Sequence, residues 1–295
     1  MRTPGNKCSL INAKEILYPA NDISIRYFYP ARDLCCFIKY YWMIQIKDTA
    51  KFNKLSQISP SGYPELIFHF GDEVSVCTSG GNLPKASTDT IIAGQITQSV
   101  YLHFHNHINS LCVKLQPYAL NALFRIKSSE FTNRATSLND IKPHLQKDIY
   151  NQLSEAHTDS IRIMIIEDHL RSLLRKNHNS IDPFTCAAID HLKSNIGRKI
   201  RGFEQIMDIS SRTMQRRIME GVGISPKILK RIIRFNKAYH LLRHNKDLSL
   251  QDVSFCLGYY DLSHLINEFK EFTGNSPANY FRKEDVYNSL FAGII

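Results

Sequence analysis

The stretch GVGISP at residues 221–226 returns as FTGNSP at 272–277, so one chain writes Gly-x-Ser-Pro twice at a spacing of 51 residues. The flanks repeat as well, which makes an internal duplication the first thing to establish. Met214 and Ile218 match Leu265 and Phe269 at the same spacing of 51, while Ile200, Phe203 and Met207 match Leu250, Val253 and Leu257 at a spacing of 50. The one-residue slip falls after Asp208 in the first copy and after Gly258 in the second. An insertion there belongs in a turn, where it disturbs no packing. Each copy therefore reads as helix, turn, helix, with apolar residues at i, i+3 and i+7 before the turn and at i and i+4 after it.

Gly-x-Ser-Pro is itself a helix stop joined to a helix start. Gly223 and Gly274 suit the left-handed residue that closes a helix. Ser225 and Ser276 suit the cap of the next helix, and Pro226 and Pro277 its first turn, where a missing N–H costs nothing. The second copy opens with Ser249 and Asp252, a capping-box pattern with aspartate in the glutamate position. Lys199 stands at the matching place in the first copy and cannot cap, so that helix start is expected to be softer.

The chain of 295 residues is long enough for two domains, and 43% hydrophobic with 11% aromatic residues describes an ordered protein. Its apolar runs are too short to span a bilayer, and its N-terminus lacks an apolar signal-peptide core, so a cytoplasmic protein without a membrane partner is expected. Seven cysteines without Cys-x-x-Cys spacing argue against a disulfide framework or structural zinc, and Cys35 and Cys36 read as small buried hydrophobes. The formal net charge of +10 favours an anionic partner such as nucleic acid. Its distribution is uneven. Between Asp190 and His240 twelve basic side chains oppose four acidic ones, a balance of +8, whereas between Asp247 and Asp285 three oppose seven, a balance of −4.

The period of the apolar pattern divides the chain into an α+β protein. Residues 1–140 read as a β-rich domain, with ELIFHFGD (65–72) as a central strand, SLCVKLQP alternating through Leu111, Val113 and Leu115, and STDTIIAGQI and VYLHFHNHI as further strands. Residues 141–183 read as a helical connector, carrying Leu145, Ile149 and Leu153, then Ile161, Ile165, Leu170 and Leu174, and ending in the polar linker RKNHNSIDP. Such helices commonly connect domains or form a dimer surface. Residues 184–285 hold the duplicated helical units, and 286–295 form a tail. After Pro226 a long helix is expected, with Ile228, Ile232, Phe235, Tyr239 and Leu242 inward and Lys227, Lys230, Arg231, Arg234 and Lys237 on the other face, near phosphates.

Tandem units of this kind, with ISSRTMQRRI in the first and LGYYDLSHLINEFKEFTGNSPANYF in the second, resemble the DNA-binding domain of AraC/XylS-type bacterial transcription regulators. ISPSGYPELIFHFGD, IIAGQITQSVYL and VKLQPYALNALFRI resemble a β-rich N-terminal domain found on some members of that family. The resemblance implies a cupin-like barrel in front of an all-α domain of two helix-turn-helix units joined by a long helix. It implies duplex DNA as partner, a small-molecule effector or a second subunit at the N-terminal domain, and RNA polymerase as partner if the chain is an activator. Five positions depart from the family pattern. Glu204 and Ser254 replace a small alanine, Asp208 replaces the glycine of the first turn, and Leu265 and Asn267 replace the second unit's phenylalanine and arginine.

A recognition helix presents to the major groove the residues opposite its apolar stripe. In the first unit these are Ser211, Arg212, Gln215 and Arg216, with arginine suited to guanine and glutamine to adenine. In the second they are Leu262, Ser263, Ile266 and Asn267, where the apolar pair suits thymine methyls. Two such helices about one DNA turn (~34 Å) apart would read successive major grooves. A metal-binding sensor or enzyme is the alternative, because His103, His105 and His107 alternate as three imidazoles on one strand face would. A third is an interaction module that keeps the fold without DNA, as the acidic second unit allows. No nucleophile triad, phosphate loop or carboxylate pair is evident, so neither an enzyme nor a cofactor is expected.

Overall fold

A computed structural model describes residues 13–17, 23–47, 55–72, 74–78, 81–82, 90–104, 107–178, 181–197, 201–245 and 247–282. The N-terminal strands are β1 (Ala13–Leu17), β2 (Ile23–Phe28), β3 (Ile38–Ile46), β4 (Leu55–Ile58), β5 (Glu65–His69), β6 (Val74–Thr78), β7 (Gly81–Asn82), β8 (Thr90–Ala93), β9 (Val100–Phe104), β10 (Ile108–Leu115) and β11 (Ala135–Ser137). They form two antiparallel sheets, a larger one in the order β1-β2-β3-β10-β5-β8-β11 and a smaller one in the order β4-β9-β6-β7. Strand β10 lies inside the larger sheet and is buried along almost its whole length.

Both faces of that sheet are covered, which is why its strands read as near-continuous apolar runs. Leu111, Val113 and Leu115 of β10 join Leu66 and Phe68 of β5 in a core closed by helices. The opposite face presents Trp42, Ile44, Ile108 and Cys112 to Val74 and Leu102 of the smaller sheet. Strand β5 therefore differs from the expected doubly apolar strand: Leu66 and Phe68 are buried, while Glu65, Ile67 and His69 are half-buried on the inter-sheet side. The expected strand VYLHFHNHI is also divided. Phe104 ends a strand of the smaller sheet and Ile108 begins one of the larger.

The helices that follow are α1 (Ala119–Phe124), α2 (Leu138–Ile141), α3 (Pro143–Glu155) and α4 (Asp159–Lys176), with a short 3-10 turn at Ser128–Phe131. Helices α3 and α4 pack on the larger sheet through Ile149, Leu153, Ile163, Ile166 and Leu170, so they share the N-terminal core. The inward face of α4 is set by Ile163, Ile166, Leu170, Leu173 and Leu174, and Ile161 is 45% exposed, contrary to the expected stripe. Glu167 fixes this docking, accepting hydrogen bonds from the Tyr41 hydroxyl (3.2 Å) and the Ala31 amide (2.9 Å). Cys35 and Cys36 are exposed rather than buried; the Cys35 thiol donates to the Arg32 carbonyl in a tight turn.

The C-terminal part comprises α5 (Pro183–Ser194), α6 (Arg201–Ile206), α7 (Ser211–Val222), α8 (Pro226–His244), α9 (Leu250–Cys256), α10 (Leu262–Thr273) and α11 (Pro277–Arg282). Several of the expected local signals have their physical counterpart, while the softer helix start expected at Lys199 lies outside the described residues. Gly223 and Gly274 close α7 and α10 with φ of 96° and 71°. The Ser225 hydroxyl accepts from the Ile228 amide, and Ser249 and Asp252 form a complete capping box on α9. One core joins α5, α7, α8, α10 and α11, and a smaller one joins Ala238, Val253, Leu257, Tyr259 and Leu265.

The turns inside the two units carry the same backbone on different residues. Gly258 has φ of 66°, and a Cβ there would lie 2.6 Å from the Gly197 Cα. Asp208 holds the equivalent left-handed position with φ of 48° although it has a Cβ, which costs free energy for any L side chain. Asp208→Gly is expected to raise stability by about 0.5–1 kcal/mol, read as a higher urea midpoint at unchanged slope. A neutral or lower midpoint would show that the aspartate makes a compensating local interaction.

Candidate nucleic-acid interface

Helix α7 turns Met214, Ile218 and Val222 into the core and leaves Ser211, Arg212, Gln215 and Arg216 exposed. Ser210 caps it, accepting from the Thr213 amide at 3.2 Å. Arg212 and Gln215 have no hydrogen-bond or ion-pair partner among the described residues. Arg216 has only a long contact with Glu220, 3.8 Å across one helical turn, and its side chain is 65% exposed. These four groups are thus free for base edges or phosphates. Arg217, one residue on, is not: it pairs with Asp182, the cap of α5, and lies 4.2 Å over the Phe184 ring. Burial pushes the Asp182 carboxyl up, but the hydrogen bond from the Thr185 hydroxyl, then the Arg217 pair and the Phe184 amide, together hold its pKa below the usual value.

Helix α10 buries Leu265, Glu268, Phe269 and Phe272, and exposes Ser263 and Asn267. Leu262 and Ile266 are half-buried, and Ile266 packs on the small core of Val253 and Leu257, which draws it back from the outer face. Tyr260, 92% exposed in the turn just before α10, is a candidate contact that periodicity could not find. The doubled aromatic Tyr259-Tyr260 was its only signal. Tyr259 is the buried partner of the two.

The basic face of α8 does not behave as one phosphate-binding surface. Arg234 donates to both carboxylate oxygens of Glu268, from Nε at 3.0 Å and Nη2 at 2.6 Å, and stacks 4.1 Å from the Tyr259 ring. Arg231 joins the same carboxylate through Nε at 2.9 Å and also pairs with Glu271. The expectation that Arg234 reaches DNA is therefore corrected. A guanidinium aimed at a carboxylate inside the domain is worth more there than in solvent. Lys230 is half-buried, and burial followed by the nearby Arg234 charge lowers its pKa.

Donors of the β-rich domain satisfy the last carbonyls of both recognition helices, groups that no helix can satisfy for itself. On α7, the Ser128 hydroxyl donates to the Gly221 carbonyl (2.8 Å) and the Thr132 hydroxyl to that of Gly223 (2.6 Å). On α10, Gln57 Nε2 donates to the Thr273 carbonyl (2.5 Å) and Ser99 to that of Phe272. Asn236 in the middle of α8 donates to the Pro60 carbonyl at 2.9 Å. These contacts hold the two helices from behind, and those of Gln57, Ser99, Thr132 and Pro60 start one residue from the lining of a cavity between the sheets. Ser59 lines that cavity and lies 3.4 Å from Ser99.

The cavity measures about 140 Å³ and is mostly apolar. Its polar strip runs along β5 and β10, where Glu65 faces Lys114 and His69 faces Ser110 in register. Lys114 pairs with Glu65 at 2.9 Å, and that charge holds it protonated against burial. Burial lowers the His69 pKa to about 4, so its neutral ring meets the Ser110 hydroxyl at 2.9 Å. Lys39 sits beside this region with its ammonium 4.0 Å from the Tyr63 ring; burial, then Lys114 and Lys193, lowers its pKa to about 7.

The three histidines considered as metal ligands do not share one strand. His103 is on β9, His105 lies outside the described residues, and His107 is exposed beyond the strand, its amide donating to Asp72 at 2.9 Å. Among the described residues no three metal-binding side chains gather, and no helix is long and apolar enough to cross a membrane.

Residues 204–283 match the family described as Helix-turn-helix domain. Over 69 residues, 23% of this chain and 24% of the relative, the sequence is 35% identical to the HTH-type transcriptional activator RhaS of Escherichia fergusonii. The chain carries an AraC-type helix-turn-helix domain. A second relative of the AraC-type domain is the HTH-type transcriptional regulator RipA of Corynebacterium diphtheriae, 33% identical over 78 residues, 26% of this chain and 23% of the relative. The chain thus aligns with about a quarter of the length of these curated relatives. In front of the AraC-type domain, residues 26–137 match the family described as Domain of unknown function (DUF6597). Among solved structures, ToxT from Vibrio cholerae is similar at a TM-score of 0.46 and 13% identity, covering 78% of this chain and 94% of that one.

Proposed function

We propose that the protein is a DNA-binding transcription regulator that reads successive major grooves with α7 and α10 and is controlled through its β-rich domain. The observation that carries this reading is the free outer face of α7. Four polar or basic side chains there point away from the core, beside related arginines that are committed inside the protein. Residues 1–140 hold the effector, 141–183 connect, and 184–285 bind DNA. The exposed apolar side chains Tyr150, Ile161 and Met164 on α3 and α4 support a homodimer through those helices. The protein acts in the cytoplasm, catalyses no reaction, and addresses RNA polymerase where it activates. The hydrogen bonds from Gln57, Ser99, Ser128 and Thr132 provide the route from the effector domain to the recognition helices.

Fluorescence anisotropy of the full chain on labelled duplexes, followed by selection from a random pool, tests this. Binding is expected below about 10 μM at low salt, weakening steeply as salt displaces the phosphate contacts, with one sequence enriched. No binding to any duplex at low salt would sink the reading.

A further inference from the structure

The cavity between the sheets has the charge and size of a specific binding site. Its walls are hydrocarbon and indole, from Trp42, Ile44, Ile67, Ile91, Leu102 and Ile108. Its volume of about 140 Å³ is close to that of an engineered apolar cavity of about 150 Å³ that binds benzene. Glu65, His69 and Lys114 lie with Ser110 along the strip of β5 and β10, while Ser59, Ser61, Tyr63, Asn133 and Arg134 add polar groups elsewhere on the lining. The cation on that strip, Lys114, has a side chain only 5% exposed and is already matched by Glu65 at 2.9 Å. The pair is neutral as a unit but still offers carboxylate lone pairs and ammonium hydrogens to a guest. A carboxylate guest would set a second negative charge beside Glu65 around one ammonium, in a place where water screens little. Arg134 at the edge is exposed, where solvent weakens its pull. Lys39 does not line the cavity and rests on the Tyr63 ring.

We propose that this cavity binds a small uncharged molecule, an apolar body about the size of a benzene ring with one neutral hydrogen-bonding head seated on the Glu65–Lys114 pair. The proposal rests on the regulator reading only in calling such a molecule the effector. The site stands on its own geometry.

Matched probes test it on the full chain: benzyl alcohol against benzoate, followed by calorimetry and by ligand-observed NMR. Benzyl alcohol is expected to bind at least tenfold tighter than benzoate. Ala93→Phe, which projects a ring into the cavity from β8, is expected to abolish binding of both. Glu65→Gln removes the negative charge and should reverse the preference toward benzoate. If that variant fails to fold, the wild-type comparison and Ala93→Phe still decide. Equal or tighter binding of benzoate to the wild type overturns the neutral-head assignment. Absence of binding by either probe, or binding that survives Ala93→Phe, overturns the site. Duplex binding by the same preparation is measured in parallel and reports on the regulator reading alone, so the two failures are separable.

Discussion

Replacing Glu268 with glutamine is expected to lower the stability of the C-terminal domain by about 3 kcal/mol, the low end of what is seen when one partner is removed from a buried ion pair. Glu268 is 1% exposed and is the shared counter-charge of Arg234 and Arg231, which are 11% and 25% exposed. Glutamine keeps the shape, but it leaves two guanidinium groups facing an amide, and one of its two acceptors becomes a donor. Arg234 is the more constrained of the two, since its plane lies against the Tyr259 ring. Arg231 retains Glu271 and can swing toward solvent, so most of the loss should be attributable to Arg234. Urea unfolding of the full chain gives the number. A loss below about 1 kcal/mol would mean that both arginines rehydrate without disturbing the packing of α8 on α10.

The second large effect concerns DNA. Arg212→Ala and Arg216→Ala are each expected to cost about 1–3 kcal/mol of binding and to relax preference at particular bases. Both side chains are exposed on α7 beside a capped helix start, and the first unit lies in the segment of charge balance +8. Asn267→Ala should cost less, because the second unit lies in a segment of balance −4 and asparagine replaces the family's arginine. Asn267→Arg is expected to tighten binding. Arg234→Ala, in contrast, should act mainly on stability and leave the salt slope nearly unchanged, since each lost phosphate contact would alter that slope by roughly 0.9. Affinities on one selected duplex at two salt concentrations distinguish these outcomes. Should Asn267→Ala or Ser263→Ala weaken binding more than Arg216→Ala, the second unit would be the principal reader despite its charge.

Much of the C-terminal architecture was legible because its signals are local. A glycine that closes a helix, a serine that caps the next and a proline in its first turn act within a few residues of one another. The capping box of Ser249 and Asp252 and the closing glycines Gly223 and Gly274 form as read. Apolar spacing likewise identified Met214 and Ile218, and Leu265 and Phe269, as the inward faces of the recognition helices. The outward residues of α7 followed by geometry, because a helix with its inward stripe known has its outward one known too.

The basic and histidine patterns were less informative, for a physical reason. An arginine is written the same way whether it faces solvent or a carboxylate. Arg216 and Arg234 differ only in what the fold brings near them, and the partner of Arg234 lies 34 residues along the chain. Alternation along β10 correctly placed Leu111, Val113 and Leu115, yet it said nothing of what covers the other face. Only the pairing of β10 with β5 sets Glu65 opposite Lys114, and only the packed fold makes that lysine a buried cation. His103 and His107 share a period in the sequence but belong to opposite sides of a crossing between sheets. The hydrogen bonds from Gln57 and Ser99 to the end of α10 span 216 and 173 residues. By itself, then, the sequence determined α7 and α10, their closing glycines and their inward faces, since those depend on neighbours within a turn or two, whereas the inward face of α4 had to come from its packing on the sheet. Tertiary structure alone decided which charges remain free, where the cavity lies and how the front domain grips the recognition helices, because each depends on groups that meet only when distant segments pack.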